Sequence, residues 1–509
     1  MPGNKSVHKT IKLLFASSEV QPLVKTGGLA DVCGSLPIAL DSIRMTDRSR
    51  PTSSGRAARA VDIRVILPGY RSALDQMTNL RPLAWIKGTG AKGPVRLLEG
   101  KLPDTRVKVW LIDAPEYFDR DGKPYTDTHG KDWPDNALRY TIFSRAVTSL
   151  ALGHVDVGWQ PDLVHCHDWQ TGLVPALLSL HHDRPATVFT IHNLAYQGVY
   201  SAAEFQTLGL PPALWTVSGL EYHGMMSFLK GGLAYADWLN TVSPTYAQEI
   251  CTTDYGFGLE GLLNHRRNRL TGIMNGVDYK TWDPAFDPLI SKTYTIRTFP
   301  NKLANKDALQ QIMGLPRLPE IPVFGVVSRL VWQKGIDLII EILPKLIQHN
   351  AQIVVLGSGE HDMHKQLESL AKAYPNNLAV RIGYDESLAH QIEAGADMFL
   401  MPSRYEPCGL NQIYSLRYGT VPIVRRTGGL ADSVIDVSDR NFSSATGFMF
   451  ADGFANALFS AVERALTLYQ QPEKWRQLAV QGMKQDFSWE KSALKYIELY
   501  NKALESRDG

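Results

Sequence analysis

Residues 11 to 40 read IKLLFASSEVQPLVKTGGLADVCGSLPIAL, and this segment indicates the architecture of the chain. The apolar run Ile11–Ser17 predicts a strand, Gly27-Gly28 a tight turn, and the apolar-rich run Val32–Leu40 a helix. Adjacent glycines let a backbone approach a ligand closely and present N–H groups at a helix start. With Lys25 beside them, this strand–turn–helix unit is typical of a site for a pyrophosphate or a phosphorylated sugar.

The hexapeptide Thr-Gly-Gly-Leu-Ala-Asp occurs twice, at residues 26–31 and at residues 427–432. Basic residues precede both copies, Lys25 in the first and Arg425-Arg426 in the second. A Gly-Gly turn on its own more often serves only to reverse the chain. The repetition favours a ligand-binding role for both copies.

The composition excludes several classes of protein. The 509 residues are 44% hydrophobic and 20% charged, with a formal net charge of +2. These values are ordinary for a globular protein, so we expect neither nucleic acid nor a membrane as a partner. The four cysteines are widely spaced and form no CxxC pair. That spacing argues against disulfides and a zinc site, and it favours a reducing compartment, for which we expect the cytoplasm or, in a plant, a plastid.

Short apolar runs alternate with helical patterns along most of the chain. The predicted strands are Ile11–Ser17, Asp62–Leu67, Val107–Asp113, Leu163–His167, Ala186–His192 and Trp238–Val242, and then Pro322–Ser328, Ala351–Leu356, Leu378–Gly383, Met398–Pro402 and Thr420–Arg425. Continuous apolar runs are typical of parallel strands covered on both faces. Two such series predict an α/β protein with two doubly wound, Rossmann-like domains, at residues 1–271 and 272–487. Residues 488–509 are predicted to form a helix that packs back on the N-terminal domain.

Residues 41–60, DSIRMTDRSRPTSSGRAARA, contain five arginines and few apolar residues. A connection of this length between a helix and a strand is unusual. A surface insertion without fixed structure, an arm that binds polyanions and a local sequencing error all fit this composition, and the sequence does not decide among them.

Two loops that follow predicted strands carry charged side chains. Arg329 and Lys334 flank one loop, and Glu406 lies in the other. Ligands of open parallel sheets bind beyond the carboxyl ends of the strands, where an arginine and a lysine can clamp a diphosphate. Glu406 can accept hydrogen bonds from sugar hydroxyls. Cys408 has no base beside it, so we interpret it as a small buried side chain rather than a nucleophile.

Three histidines lie near strand ends, namely His165, His167 and His192. Because side chains alternate between the faces of a strand, and no cysteine or carboxylate spacing accompanies these histidines, we expect no metal site. His192 is a better candidate for a hydrogen bond to a substrate hydroxyl. Trp169, next to Asp168, can stack on a sugar or pack in the core.

Taken in order, these motifs resemble those of the bacterial glycogen synthases and plant starch synthases. These are retaining glycosyltransferases of the GT-B type, with two Rossmann-like domains and an interdomain cleft. The resemblance covers about residues 11–500 except 41–60. The matching segments are residues 25–29, 165–169, 192–198, 275–278, 328–330, 333–335, 404–410 and 426–430.

The resemblance implies a role for each matching position. It assigns donor binding to Lys25, Gly27, Gly28, Asn275, Arg329, Gln333, Lys334, Glu406, Cys408, Gly409, Leu410, Thr427 and Gly428. It assigns catalysis to Glu406, His192, Asp168, Lys334 and Arg329, and acceptor binding to Trp169. Within these sets the two cations neutralise the leaving diphosphate, Glu406 contacts the donor glucose and His192 lies near its reacting face. Related transferases often have a second glutamate at the position of Tyr414, and this family generally lacks it.

The implied reaction transfers glucose from ADP-glucose to the non-reducing end of an α-1,4-glucan, glycogen or a malto-oligosaccharide, with retention of configuration. We expect neither a cofactor nor a metal, since two basic side chains can hold the diphosphate. Two alternatives stay open. One is a related transferase that uses UDP-glucose or another acceptor, and the other is a glucan-binding protein without activity. The sequence does not set the oligomeric state.

Overall fold

The computed structural model of the protein describes residues 10–46, 59–438 and 440–508. Contacts within the chain divide it into two units. The N-terminal unit comprises the chain up to Val242, Ala247–Gly276 and the chain from Trp489 onward. The C-terminal unit comprises Ser243–Tyr246 and Val277–Ser488. The predicted boundary at 271/272 lies a few residues before the one in the structure.

Among the residues that the structure describes, twelve strands belong to the N-terminal unit. They are β1 (Ile11–Ala16), β2 (Val61–Pro68), β3 (Arg81–Ile86), β4 (Val95–Lys101), β5 (Lys108–Asp113), β6 (Leu163–His167), β7 (Ala186–Ile191), β8 (Val199–Ser201), β9 (Glu221–Tyr222), β10 (Met225–Ser227), β11 (Trp238–Thr241) and β12 (Leu270–Gly272). Nine form one sheet in the order β12-β11-β7-β6-β1-β2-β5-β4-β3. The strands from β12 to β5 run parallel, and every residue of β6 and β7 is buried.

The helices of the chain up to residue 265 are α1 (Gly28–Thr46), α2 (Arg71–Gln76), α3 (Pro115–Phe118), α4 (Asn136–Ala151), α5 (Leu173–Leu178), α6 (Ala202–Thr207), α7 (Phe228–Tyr235), α8 (Pro244–Glu249) and α9 (Glu260–His265). The first part of the predicted insertion, residues 41–46, continues α1. At its other end the carbonyl of Ala60 accepts a hydrogen bond from the N–H of Ile11 at 2.9 Å. Residues 47–58 lie outside the described residues.

The C-terminal unit holds a six-stranded parallel sheet in the order β15-β14-β13-β16-β17-β18. Its elements are α10 (Lys302–Ile312), β13 (Val323–Val327), α11 (Ile336–Gln348), β14 (Gln352–Gly357), α12 (His361–Ala373), β15 (Leu378–Ile382), α13 (Glu386–Gly395), β16 (Met398–Met401), α14 (Asn411–Tyr418), β17 (Val421–Arg425), α15 (Gly428–Ser433), β18 (Phe448–Phe450), α16 (Ala455–Tyr469) and α17 (Pro472–Met483). The predicted α/β class is therefore confirmed, with a mostly parallel sheet in the N-terminal unit, whose strands β4 and β3 run antiparallel, and an entirely parallel sheet in the C-terminal unit.

The last helix, α18 (Trp489–Asp508), belongs to the N-terminal unit, where it packs on α1 and on the interior strands β6, β7 and β11. The buried hydroxyl of Tyr500 lies 2.9 Å from His165 Nδ1, and Asn240 Nδ2 donates to Tyr496 Oη at 3.1 Å. Within the described residues, no helix combines the length and apolar character that crossing a bilayer requires.

Candidate active site

The first glycine turn, Lys25–Gly28, lies exposed beyond the carboxyl end of β1. The buried carboxylate of Glu19 holds it in place. The N–H groups of Thr26 and Gly27 donate to Glu19 Oε2 at 2.5 and 3.2 Å. These two donors, which the sequence offers to an anion, are thus already bound to the protein's own carboxylate. Lys25 Nζ donates to Asp31 Oδ1 at 2.7 Å.

Glu19 also accepts a hydrogen bond from the hydroxyl of Tyr125 at 2.6 Å, and that hydroxyl lies 2.8 Å from Ser18 Oγ. Sequence reasoning missed Glu19 and Tyr125. The position of Glu19, three residues after a buried strand, was a signal that could have identified it. Tyr125 carried no comparable signal, because only the tertiary fold brings it to this loop.

Asp168 and His192 meet at the carboxyl ends of β6 and β7. The N–H of His192 donates to Asp168 Oδ1 at 2.8 Å, so the carboxylate fixes the start of the loop that carries the imidazole. Burial raises the pKa of Asp168 to about 7, although its hydrogen bonds from the backbone of His192 and Asn193 oppose that shift. Burial lowers the pKa of His192 to about 3, so this imidazole is neutral near pH 7.

The two histidines of β6 have different surroundings. His165 lies 2.9 Å from Tyr500 Oη and 2.7 Å from Thr190 Oγ1, which makes it a core residue. His167 Nδ1 lies 2.9 Å from His192 Nε2. The expectation that strand alternation keeps the histidines apart is wrong, because residues two apart share a face and the rings of His165 and His167 are 4.0 Å apart.

Trp169 lies half-buried in an aromatic cluster of the N-terminal unit. Its ring centroid is 5.1 Å from that of Tyr140 and 6.0 Å from that of Tyr125. A Cβ at Gly198 would overlap the indole, so the loop after His192 covers part of it. Core packing thus accounts for much of its surface, and its acceptor role stays a prediction.

In the C-terminal unit, Lys334 and Glu406 form an ion pair at the carboxyl ends of β13 and β16. Lys334 Nζ donates to Glu406 Oε2 at 2.5 Å, and Ser403 Oγ donates to the same oxygen at 2.9 Å. The side chain of Lys334 is 17% exposed and that of Glu406 is 7% exposed. An ammonium group has three donors, so Lys334 can hold Glu406 and an incoming anion together.

Arg329 lies exposed in the same loop, where its Nη2 donates to Gln333 Oε1 at 3.0 Å. Gln333 Nε2 donates to the carbonyl of Tyr405 at 3.2 Å, and the N–H of Arg404 donates to the carbonyl of Gln333 at 2.8 Å. The two charged loops predicted from the sequence are therefore joined to each other. They present an exposed arginine and a partly exposed lysine at the edge of the sheet where ligands of this fold bind.

The second glycine turn differs from the first. Thr427, Gly428 and Gly429 are buried, and a Cβ at Gly428 would overlap the carbonyl oxygen of Glu406. The N–H of Gly429 donates to that same carbonyl at 3.1 Å. This copy therefore packs against the Glu406–Leu410 loop, in which Cys408 is buried and Gly409 and Leu410 are half-buried.

Three further side chains have surroundings that bear on the candidate site, namely Asn275, Tyr414 and Tyr384. Asn275 belongs to the N-terminal unit rather than to the predicted C-terminal domain, and its buried Oδ1 has no partner among the described residues. Tyr414 stacks on Trp282 with ring centroids 3.9 Å apart. Tyr384, which sequence reasoning missed, is 78% exposed just beyond the carboxyl end of β15. An exposed ring at that edge can stack on a planar group.

Two family models match the chain. The model described as starch synthase catalytic domain matches residues 12–265, and the model described as glycosyl transferases group 1 matches residues 315–481. The chain is 51% identical to glycogen synthase 2 of Nitrosococcus oceani over 97% of each chain. It is 50% identical to glycogen synthase of Thioalkalivibrio sulfidiphilus, covering 96% of this chain and 99% of that one.

Two solved structures are similar to the chain in fold. The catalytic domain of starch synthase IV from Arabidopsis thaliana, bound to ADP and acarbose, has a TM-score of 0.84 and 32% identity, covering 98% of this chain and 100% of that one. Sucrose-phosphate synthase from Thermosynechococcus elongatus has a TM-score of 0.56 and 17% identity, covering 96% of this chain and 98% of that one. The second likeness is one of fold alone.

Proposed function

The chain belongs to the family of glycogen synthases and starch synthases, and from that premise we propose that it transfers glucose from ADP-glucose to the non-reducing 4-hydroxyl of an α-1,4-glucan, with retention of configuration. The observation that carries the proposal is the Lys334–Glu406 pair beside exposed Arg329, at the ligand-binding edge of the C-terminal sheet. The ADP in the related starch synthase supports the choice of base.

We assign the diphosphate to Arg329 and Lys334. The guanidinium offers a planar fork of donors and the ammonium a mobile point charge, and together they offset the charge that develops on the departing diphosphate. Glu406, held by Lys334 and Ser403, is placed to accept hydrogen bonds from the glucose hydroxyls. This assignment needs neither a cofactor nor a metal.

The chemical step needs no protein nucleophile. The bond from the anomeric carbon to the diphosphate oxygen breaks, and the acceptor hydroxyl attacks the same face of the oxocarbenium-like sugar. The departing diphosphate takes the acceptor's proton, which gives retention. The protein contributes positioning and charge stabilisation. Because burial lowers the pKa of His192 to about 3, this residue serves as a neutral hydrogen-bonding group and not as an acid.

The free thiols of all four cysteines fit a reducing compartment, and we place the reaction in the cytoplasm.

The proposed reaction is tested by measuring transfer from two donors with the wild type and three variants. Labelled ADP-glucose and UDP-glucose are compared with glycogen as acceptor, using the wild type, Lys334→Ala, Glu406→Ala and Lys365→Ala. Lys365 is exposed on α12 in the same unit and serves as the matched control. We expect transfer from ADP-glucose, a loss of roughly 10²- to 10³-fold in kcat for the two site variants, and no change for the control.

Other results favour the alternatives. Faster transfer from UDP-glucose would indicate a related transferase with a different donor. Glucan binding without transfer from either donor would indicate a binding protein. An equal fall of activity and melting temperature in both site variants would mean that the pair is structural.

A further inference from the structure

Cys33, His167 and His192 converge in the N-terminal unit, although the sequence separates them widely. Cys33 lies in α1, His167 ends β6, and His192 follows β7. One donor atom from each side chain lies within 4.8 Å of the others. The sheet order β7-β6-β1 explains the meeting, because α1 follows β1 and all three strands end at the same edge.

One atom of this cluster is unpartnered. His167 is fully buried, and its Nε2 has no hydrogen-bond partner among the described residues. Its Nδ1 is already engaged with His192 Nε2 at 2.9 Å. A buried polar atom without a partner is uncommon, because leaving it unpaired costs free energy. A ligand that bonds to nitrogen would remove that cost.

The sulfur and nitrogen atoms of these three side chains determine which ions can bind. A thiol and two imidazoles suit borderline and soft ions such as Zn²⁺ and Cd²⁺, whereas Mg²⁺ and Ca²⁺ require oxygen ligands. Burial raises the pKa of the Cys33 thiol, and the nearby carboxylates of Glu19, Asp168 and Asp31 add to that shift, so a bound cation has to displace the thiol proton. His192, 9% exposed, gives the cluster its opening to solvent, because Cys33 and His167 are fully buried.

We propose that Cys33, His167 and His192 form a binding site for a thiophilic cation, Zn²⁺ or Cd²⁺, whose occupancy inhibits the enzyme. As the ion binds, the Cys33 thiol releases its proton to solvent and a metal–sulfur bond forms. The two imidazoles bind the ion as neutral ligands, each through a ring nitrogen that carries no proton. Metal–nitrogen bonds of about 2.0–2.1 Å and metal–sulfur bonds of about 2.3 Å require the donors to close in by on the order of 1 Å.

Inhibition follows because a metal-bound His192 is withdrawn from the sugar. This consequence rests on the proposed function, whereas metal binding itself does not. The two are therefore tested with separate measurements, and a protein that binds the ion without any transferase activity would contradict only the proposed function.

The binding experiment titrates the metal-free full chain with CdCl₂ and follows thiolate-to-metal charge-transfer absorption. We expect the absorption to saturate at one equivalent in the wild type and to vanish in both Cys33→Ala and Cys33→Ser. Two different substitutions are used so that a folding defect in one of them does not decide the result. The matched control is Cys251→Ala, which removes the half-buried cysteine and should leave the signal intact. Because the loss of an outer-shell partner already costs a metal site about 10- to 100-fold in affinity, the loss of a direct ligand should weaken binding by at least that much.

The activity experiment adds ZnCl₂ to the glucosyl-transfer assay. We expect Cys33→Ala to match the wild type in metal-free buffer and to need at least about 10- to 100-fold more zinc for half-inhibition. Absence of the absorption in the wild type, its persistence in both Cys33 variants, or its loss in Cys251→Ala would overturn the site. Equal zinc sensitivity of Cys33→Ala and the wild type would overturn the inhibitory role.

Discussion

Asp168 holds a backbone conformation that few residues other than glycine adopt, with φ 57° and ψ −179°. Such a conformation costs on the order of 1–3 kcal/mol and persists only where the surroundings enforce it. Here the N–H of Asp168 donates to the carbonyl of Thr190 at 3.0 Å, and its carboxylate accepts the N–H of His192. The strain places the carboxylate where it fixes the His192 loop, which gives a positioning role to a residue that the family resemblance assigns to catalysis.

The titration of Asp168 predicts opposite effects of pH on activity and on stability. Because burial raises its folded pKa from 3.8 to about 7, the folded protein binds this proton more tightly than the unfolded chain. This group therefore lowers the free energy of unfolding as the pH rises from about 4 to about 7. The ionised form accepts the loop N–H groups more strongly, so kcat/KM should rise across pH 7.

Asp168→Asn removes the titration and keeps one acceptor oxygen. We expect its kcat/KM to lose the rise near pH 7, and its urea-unfolding free energy to lose the corresponding fall between about pH 4 and pH 7. Rate profiles and urea titrations across this range measure both effects. A rise in activity near pH 7 that survives in Asp168→Asn would show that another group controls it.

At the scale of elements, the two glycine turns show how one hexapeptide serves two purposes. The first turn starts the long helix α1 with open space around Gly27 and Gly28. The second starts the short helix α15 and lies against the backbone of Glu406, which only glycine permits. The first turn thus leaves space for a ligand beside its backbone, although Glu19 holds two of its N–H groups, whereas the second turn holds the Glu406 loop in place.

A matched pair of substitutions separates these roles. Gly428 has φ +44° and no room for a Cβ, so Gly428→Ala should lower the free energy of unfolding by about 3 kcal/mol or more. Gly27→Ala meets no atom within 4 Å, and we expect a change within about 0.5 kcal/mol. Urea unfolding measures both values.

The activity of Gly27→Ala tests the ligand contact at the first turn. If the donor passes close to this backbone, the variant should lose transfer while it keeps its stability. Full activity in Gly27→Ala would remove Gly27 from the donor site. Normal stability in Gly428→Ala would contradict the close packing of the second turn.

At the scale of the whole molecule, each unit has its own sheet and its own core, and the chain returns to the first unit through α18. The buried side chains of Tyr496, Tyr500 and Ala503 dock this helix. Its polar contacts reach His165 and Asn240, which lie on β6 and β11. The C-terminal residues thus help to complete the core of the N-terminal unit.

Tyr500→Phe tests this docking. The change removes a hydroxyl from a buried hydrogen bond and leaves His165 Nδ1 without its partner. We expect a loss of about 1–3 kcal/mol in the free energy of unfolding, measured by urea titration. Tyr374→Phe, on a 36% exposed tyrosine of the C-terminal unit, is the control and should change it little. An equal effect of both substitutions would show that the buried bond contributes nothing specific.

Local sequence patterns predicted most of the strands and the charged loops of this protein. Continuous apolar runs identified the parallel strands, because strands buried on both faces need apolar residues at every position. Strands β3 and β4, at the antiparallel end of the N-terminal sheet, were missed because exposed or charged residues interrupt their apolar runs. The charged loops were found because side chains that follow such strands lie at the ligand-binding edge. The interdomain cleft stays a prediction.

The sequence by itself determined the α/β class, the two series of strands and the charged residues of the donor loops, because each depends on the periodicity or chemistry of a few neighbouring residues. Only the tertiary structure decided which glycine turn is open, that Glu19 occupies two of its N–H groups, and that Cys33 meets His167 and His192. The reason is the order of the strands in the sheet. Strand order brings together side chains that lie far apart in the chain, and no local pattern encodes it.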